Sequence, residues 1–362
     1  MKHLALFIWL ALSFALAQSN PENLADNAVT EWQAQKAPTM TELAGLSTDQ
    51  VCMELPKLLY AAPEGLDVNL NDRKELELPE GSPDTILRYS YPASQPGDIV
   101  GTVRVTLNQE EGEDWHVSSI RYFPELGSDP LRSWLTSPIG AIVFTLFSAL
   151  MIYLSLRKSL FRSWLSEAWK HIVEHKRTVI FSIILLYGLF ALGYFSGTSL
   201  SQPCGDLLGS LVQQSIEQLG VADAANSGNA LGLSAAIFYQ NFTFGAFFTT
   251  YVPALFFGIP AYLFNGSRFF ALALLFGYSG LGSFLHALLA IILFIIELMA
   301  YIIVTAGGGM LLVTIVRGGF KAFRLAYRKL ALMLPVALLL LIIGAWYETL
   351  IILIPALFAG TP

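Results

Sequence analysis

Two carboxylates lie within the long apolar runs of this 362-residue chain, Glu297 and Glu348. An ionised side chain at the centre of a bilayer costs about 2.5–3.5 kcal/mol on insertion scales, so such residues usually face the interior of a helix bundle. Glu297 precedes Arg317 by 20 residues and Glu348 follows Lys329 by 19, which is about 28–30 Å of helix in each case. On neighbouring antiparallel helices the two carboxylates would therefore lie at one level, near the outer surface of the membrane.

Two further polar residues could join this pair. Asn241 begins the third apolar run at its outer end, and His286 precedes Glu297 by 11 residues, about 16 Å further out. The group has three interpretations: interfacial residues without chemistry, a proton- or cation-coupled path, or a recognition site for a partner protein. The sequence leaves all three open.

Catalytic and metal chemistry have little support in the sequence. Gly277-Tyr278-Ser279-Gly280 matches the Gly-x-Ser-Gly pattern of rhomboid-type intramembrane serine proteases. The serine would need a histidine from another helix as its base, and the last apolar run contains none. Cysteine and histidine do not occur at metal-ligand spacing. We therefore expect a protein that is not an enzyme and that holds no cofactor or metal.

The composition indicates which elements carry these residues. Hydrophobic residues make up 54% of the chain and charged residues 13%, whereas soluble domains average about 25% charged residues. A single soluble domain is therefore excluded and a multi-pass membrane protein is predicted. Five apolar runs follow one another: Ile139–Leu156, Val179–Phe195, Phe242–Phe264, Phe269–Val316 and Leu330–Phe358.

The basic residues predict how these runs cross the membrane. In the membrane half they lie in residues 157–177, at Arg268 and in residues 317–329, and the positive-inside rule places all three in the cytoplasm. The run Phe269–Val316 must then cross an even number of times. We expect a short or re-entrant arm that turns at residues 277–283, followed by one long helix.

The expected transmembrane domain comprises residues 136–362. It has about six helices, a cytoplasmic amphipathic connector at residues 157–177, an outer loop at residues 196–240 and an extracytoplasmic C-terminus. The connector either lies on the inner leaflet or packs on the bundle.

The N-terminal third predicts an exported domain. Residues 1–17 combine a basic start, an apolar run and a small-residue end, which is typical of a signal peptide. Residues 18–135 hold 20 acidic and 8 basic residues. A helical pattern at 22–60 is interrupted at Pro38, and β-type alternation occurs at 85–91, 99–107 and 115–122. The sequence therefore predicts a small extracytoplasmic α+β domain with a three-stranded antiparallel sheet, preceding the α-helical polytopic domain.

The chain has two cysteines, Cys52 in the expected exported domain and Cys204 in the expected outer loop. Both would lie in a compartment that permits disulfides. A Cys52–Cys204 bridge and two free thiols are both compatible with this placement, since spacing alone does not establish a bridge.

Several short motifs occur in the last 125 residues. They are Asn241 at the head of a run, Gly258 through Asn265-Gly266 at its end, Phe294-Ile-Ile-Glu297-Leu298, Ala306-Gly-Gly308 and Trp346-Tyr-Glu348-Thr-Leu-Ile. On these motifs, residues 238–362 resemble the stage II sporulation protein M family of integral membrane proteins. The family's usual Pro-His-Gly before the glutamate is replaced here by Leu293, Phe294 and Ile295. The resemblance implies a membrane component that assembles with partners, and it adds Asn265 and Gly266 to the candidate binding residues.

We therefore expect a non-enzymatic protein of the cytoplasmic membrane that scaffolds or recruits partners through its outer domain and an intramembrane polar cluster. The alternative is a transport or permease subunit whose carboxylates bind a proton or a cation. The expected partners are the lipid bilayer and other membrane or envelope proteins, with a homo-oligomer as an open alternative and no nucleic acid.

Overall fold

The structure is a computed structural model that describes residues 20–76, 85–96, 99–109, 114–124, 130–209, 229–280 and 284–359. The chain divides into two compact units, residues 1–128 and residues 129–362. The predicted signal peptide at residues 1–17 lies outside the described residues.

Three helices begin the N-terminal unit: α1 (Pro21–Ala34), α2 (Met40–Leu43) and α3 (Thr48–Leu59). Asn20 caps α1 and Ser47 caps α3, because each side chain accepts a hydrogen bond from a backbone N–H of the first turn. The break between α1 and α2 contains Pro38, as the sequence predicts.

An antiparallel sheet follows the helices. Its strands are β1 (Asp67–Val68), β2 (Lys74–Glu75), β3 (Ile86–Gln95), β4 (Ile99–Asn108) and β5 (His116–Pro124). Their order is β1-β3-β4-β5, and β2 also pairs with β3. The three long strands confirm the predicted sheet. The sequence missed β1 and β2, since a two-residue strand has no alternation to detect.

The core of this unit lies between α1 and one face of the sheet. Alternate residues of β3 and β4 point to that face because successive side chains of a strand point to opposite sides. The buried residues are Tyr89, Tyr91 and Ala93 of β3, Val103, Val105 and Leu107 of β4, and Ala25, Val29 and Trp32 of α1.

Asp26 of α1 connects the helix to the sheet through two polar partners. Tyr91, which is fully buried, donates its hydroxyl hydrogen to Asp26 Oδ1 at 2.7 Å. Arg73 donates to Asp26 Oδ2 at 2.8 Å and also pairs with Glu22. Burial, followed by the adjacent Asp26 carboxylate, raises the pKa of Tyr91, so this hydroxyl remains a hydrogen-bond donor at neutral pH.

The second unit is helical throughout its described part. Its helices are α4 (Pro130–Thr136), α5 (Pro138–Leu156), α6 (Leu160–Glu174), α7 (Lys176–Gly197), α8 (Ala230–Tyr239), α9 (Val252–Ala254), α10 (Ile259–Ser279), α11 (Phe284–Gly318), α12 (Phe323–Ala331) and α13 (Met333–Ala359). A π-helix, Gln240–Tyr251, joins α8 to α9. Five helical stretches are long and apolar enough to cross a membrane: Pro138–Leu156, Lys176–Gly197, Ile259–Ser279, Ala287–Gly318 and Phe323–Leu353. The second unit is thus compatible with the predicted multi-pass membrane domain.

Residues 230–254, here named the central segment, comprise α8, the π-helix and α9 in unbroken succession. Eight of the ten residues of α8 are buried, so α8 lies inside the bundle. This differs from the predicted outer loop at residues 196–240, whose last part is helix. The sequence Ala230–Tyr239 is apolar on every side, which suits a helix surrounded by other helices.

The turn after the central segment also differs from the prediction. It lies at residues 255–258, where Phe257 and Gly258 have positive φ, and not at residues 265–268. The next helix, α10, has 21 residues, so the predicted short or re-entrant arm was wrong. Gly258 fits this turn because its Cα lies against Gly308 of α11, where a side chain would collide with backbone.

Helices α7 and α10 run parallel in close backbone contact. Gly193 lies against the Phe270 carbonyl, and Gly197 lies against the Leu274 carbonyl and Gly277. Small residues allow such an approach between membrane helices. The four-residue spacing of Gly193 and Gly197 places both glycines on the face of α7 that meets α10.

One end of the bundle, here named the basic end, is formed by α6, the start of α7 and α12. Arg328 of α12 forms an ion pair with Glu167 of α6 at 2.8 Å. Helix α6 buries Phe161 and Ala168 but leaves Trp169 and Val173 exposed. The predicted amphipathic connector therefore packs on the bundle with one face and presents apolar side chains on another.

Candidate functional site

Four polar residues lie near the middle of four helical segments of the second unit. They are Asn241 of the central segment, Arg268 of α10, Glu297 of α11 and Glu348 of α13. Each is at least nine residues from either end of its segment, or about 13 Å of helix. The sequence placed Asn241 and Arg268 at helix ends, and both placements were wrong.

The structure brings the two carboxyl groups together. The Glu297 side chain lies against Gly344 of α13, one turn before Glu348, the two carboxyl groups act on each other, and Asn241 Nδ2 donates to Glu297 Oε1 at 2.7 Å. Both glutamates keep some accessible surface. Ionised carboxylates are both acceptors, so a hydrogen bond between the two groups would require a proton on one of them.

Arg268 and Tyr301 lie beside this pair. The Arg268 guanidinium carbon is 4.6 Å from the centre of the Tyr301 ring, a cation–π distance. Tyr301 is 1% exposed. Its hydroxyl is close to Arg268 but outside hydrogen-bond geometry, and it has no partner among the described residues. The charges of Arg268 and Glu297 attract each other across the site.

A second polar layer lies one helical turn further along α11. Asn265 of α10 is buried and donates from Nδ2 to Thr305 Oγ1 at 3.1 Å and to the Ala261 carbonyl at 2.9 Å. Thr250 of the central segment donates to Asn265 Oδ1 at 3.2 Å. Gly266, the other residue suggested by the resemblance, lies against Leu189 of α7. Asn265 therefore joins three helical segments, and Gly266 permits close packing.

A third layer follows at Gly309. Gly309 faces the Tyr262 hydroxyl and Thr178, and Tyr262 forms a hydrogen bond with buried Ser182. Glu297, Tyr301, Thr305 and Gly309 recur every four residues along α11, which places them along one stripe of the helix. We name this series of polar layers, from Glu297 to Ser182, the polar column. It runs through the bundle toward the basic end.

His175 lies where the polar column approaches the basic end. Its Nε2 is 3.5 Å from Nζ of Lys329, a buried lysine of α12 that also lies 3.9 Å from Glu174. Burial, followed by the Lys329 charge, lowers the pKa of His175. The hydrogen bond from His171 lowers the pKa of Glu174. The neutral imidazole and the carboxylate are therefore the forms that this contact favours.

Acidification is expected to loosen the contact between α6 and α12. The pKa of His175 is lower in the folded than in the unfolded chain. The folded state therefore loses stability as pH falls below the unfolded value of about 6.5. The low pKa of Glu174 acts in the same direction at more acidic pH. Hydrogen exchange in α6 and α12 of the full chain should be a few-fold faster at pH 5.5 than at pH 7.5. His175→Gln should flatten this dependence.

The control is His116→Gln, which changes an exposed histidine of β5 and should leave the pH dependence intact. A wild-type chain with equal exchange in α6 and α12 at both pH values, after correction for intrinsic exchange, would contradict the expected role of His175.

The other predicted residues of the second unit are not members of the polar column. Ser279 ends α10 and donates to its own helix at the Leu275 carbonyl. His286 lies in the first turn of α11, and its side chain is outside the described part. Cys52 lies in α3 and Cys204 within helical residues 202–209, and the suggested Cys52–Cys204 bridge stays a hypothesis.

Sequence reasoning missed Arg268 and Tyr301 as site residues. Arg268 was assigned to a cytoplasmic turn by the positive-inside rule, and Tyr301 is an aromatic residue in an apolar helix. The four-residue spacing of Glu297, Tyr301 and Thr305 places them on one face of a helix, and this spacing could have identified the stripe from the sequence. No protein-family model matches this chain, and neither does any curated protein or solved structure.

Proposed function

We propose that this chain is a transport protein of the cytoplasmic membrane in which Glu297 and Glu348 bind and release a proton. The observation that carries the proposal is that the Glu297 side chain lies against Gly344 of α13, one turn from Glu348, so that the two carboxyl groups act on each other within the helix bundle. In the proposed orientation the basic end lies in the cytoplasm and the N-terminal unit lies outside, following the positive-inside rule.

The contact supports proton binding for a chemical reason. Two carboxyl groups that lie close together in a poorly solvated site share one proton, because both cannot carry a charge there. The pair sits on separate helices, α11 and α13, so a small relative movement would separate the groups and release the proton. Arg268 would offset the charge of the remaining carboxylate.

The polar column supplies a route between this pair and the basic end. The hydroxyls of Tyr301, Thr305, Tyr262 and Ser182 can each donate and accept a hydrogen bond, which is what proton transfer along a chain of groups requires. Asn265 and Thr250 hold the middle layer in place through their hydrogen bonds. His175 lies near the end of this route, and its neutral imidazole can donate one hydrogen bond and accept another.

Infrared spectroscopy of the full chain in lipid vesicles tests the shared proton. A protonated carboxyl group has a carbonyl stretch that an ionised carboxylate lacks. We expect this band in the wild type at pH 7.5, when the exposed acids are ionised. It should be lost in Glu297→Gln and in Glu348→Gln, because either change leaves one carboxyl group without its acidic partner. Potential-driven proton uptake into the same vesicles should be abolished in both variants.

The matched control is Glu167→Gln at the basic end, which should keep both the band and the uptake. A wild-type spectrum without the band between pH 6 and pH 8, or a band that survives in both glutamine variants, would overturn the proposal. Glutamine keeps an oxygen for the Asn241 hydrogen bond, so both variants should fold.

Partner recruitment is the second candidate, and one feature of the N-terminal unit favours it. An open pocket is lined by residues 35–38 after α1, by α2 and by α3, and Leu46 and Met53 expose apolar surface there. Exposed apolar surface around a concavity is typical of interaction sites. A chain that lacks the infrared band but copurifies with a stoichiometric partner would support recruitment instead.

A further inference from the structure

Arg268 can offset the charge of the carboxyl pair, but proton binding does not explain why its side chain is exposed. It lies near the middle of α10, and its side chain is exposed on a face that also exposes Phe264, one turn away. That face points away from α7, which α10 contacts through Gly277 on another side. In a membrane, Arg268 would therefore meet lipid at mid-depth.

A guanidinium in that position needs an anion. Among the described residues Arg268 has no ion pair within 4.0 Å and no hydrogen bond, and its close contact is the ring of Tyr301. A cation at the centre of a bilayer is costly unless an opposite charge or hydrogen-bond acceptors accompany it. The nearby carboxyl pair attracts Arg268 by its charge and makes no direct bond with it.

Tyr301 supplies an independent observation. Its hydroxyl is buried, lies close to Arg268 and has no hydrogen-bond partner among the described residues. Buried hydroxyls nearly always have a partner, and an orphan group calls for an explanation such as a ligand. The central segment carries Gly245 at this point, where a side chain would lie 2.7 Å from the Tyr301 hydroxyl. Gly245 therefore permits the close approach of the Tyr301 ring and hydroxyl to the central segment.

We propose that Arg268 and Tyr301 form a lateral binding site for the phosphate of an anionic membrane lipid. A guanidinium pairs with phosphate through parallel N–H donors, and the Tyr301 hydroxyl would donate to a remaining phosphate oxygen. The proposal rests on the proposed function and names its substrate class: the substrate whose transport is coupled to the proton would be an anionic lipid, not a soluble solute.

The surroundings favour a lipid over a free anion. The neighbouring central segment exposes Phe244 and Phe248, and α10 exposes Phe264. These aromatic side chains suit the acyl chains that accompany a lipid phosphate. A lipid also reaches an exposed mid-depth face by lateral diffusion, whereas a free phosphate ion would have to lose its hydration to arrive there.

Photochemical labelling of the full chain tests this site. The probe is phosphatidylglycerol that carries a diazirine on its headgroup, present at low abundance in phosphatidylcholine vesicles. Mass spectrometry should find label on peptides of the central segment and α10, at mid-helix and not only at the basic end. Arg268→Gln should lower the mid-helix label about tenfold, since a bidentate phosphate pair is lost. Tyr301→Phe should lower it about threefold, as expected for one neutral hydrogen bond.

Three controls test whether the mid-helix label depends on the Arg268 guanidinium and on the anionic headgroup. Arg268→Lys retains the charge but not the paired donors and should give an intermediate label, which covers the case in which Arg268→Gln does not fold. Arg317→Gln, in the last turn of α11, should reduce label at that end of the helix and not at mid-helix. The matched phosphatidylcholine probe should label the mid-helix peptides weakly.

Two results would overturn the lipid site: wild-type label confined to the basic end, or mid-helix label that is equal in the wild type and in Arg268→Gln. Removal of the label by excess inorganic phosphate would show that the site takes a free anion, which also overturns the lipid proposal. Failed labelling with an intact infrared band would reject the lipid site alone. Intact labelling without the band would reject proton binding alone.

Discussion

Gly197→Ala is expected to destabilise the second unit by about 2–4 kcal/mol, although it adds a single methyl group. The new Cβ would lie 2.1 Å from the Leu274 carbonyl oxygen and 3.0 Å from the Gly277 Cα. Both are backbone atoms of α10, so no side-chain rotation relieves the collision. Helices α7 and α10 would have to move apart, and the packing beside Gly193 would be lost with them.

Gly188→Ala is the matched control in the same helix. A methyl group added at Gly188 would meet no heavy atom within 4 Å, and the residue is not buried. The change should therefore be neutral or stabilise by up to about 1 kcal/mol through helix propensity. Denaturant unfolding of the two variants in the same detergent checks the expected difference. Equal midpoints for the two alanine variants would contradict the close backbone contact between α7 and α10.

Asp26→Ala is expected to destabilise the N-terminal unit by about 2–3 kcal/mol. The change removes the acceptor of the Tyr91 hydroxyl, which is fully buried, and an unsatisfied buried donor costs about 1–3 kcal/mol. It also leaves Arg73 without one of its two carboxylate partners. Arg73 and Asp26 are partly exposed, so that ion pair contributes the smaller part.

Hydrogen exchange of α1 and β3 in the full chain measures the effect. The double variant Asp26→Ala/Tyr91→Phe should recover part of the loss, because no hydroxyl is then left without an acceptor. Glu54→Ala is the control, since it breaks the exposed Lys57–Glu54 pair at 2.7 Å and should change stability by less than about 0.5 kcal/mol. A double variant no more stable than Asp26→Ala would show that the Tyr91 hydroxyl does not carry the loss.

The elements of the N-terminal unit were predictable because their signals are local. Strands β3, β4 and β5 alternate apolar and polar residues over nine or ten positions, and Pro38 marks the break between helices. The link between Asp26, Arg73 and Tyr91 was not predictable. It joins residues 47 and 65 positions apart, and periodicity carries no information about such pairs.

In the second unit, too, local signals were predictable and contacts between distant residues were not. Hydropathy identified the apolar runs but misplaced the turn, because residues 242–279 are apolar on both sides of it and contain a polar Asn265 that looks like a loop signal. In the structure Asn265 is satisfied by Thr250 and Thr305 and so remains inside a helix. A polar residue marks a helix end only when no partner lies within the bundle.

The sequence by itself determined that this is a chain of apolar helices with an N-terminal sheet unit, and that two carboxylates lie within the apolar runs. Composition and periodicity suffice for that, because they report burial one residue at a time. Only the tertiary structure decided that Glu297 meets Glu348, that Arg268 lies at mid-helix and that the Tyr301 hydroxyl has no described partner. Those facts depend on how helices pack, and packing is set by side chains far apart in the sequence.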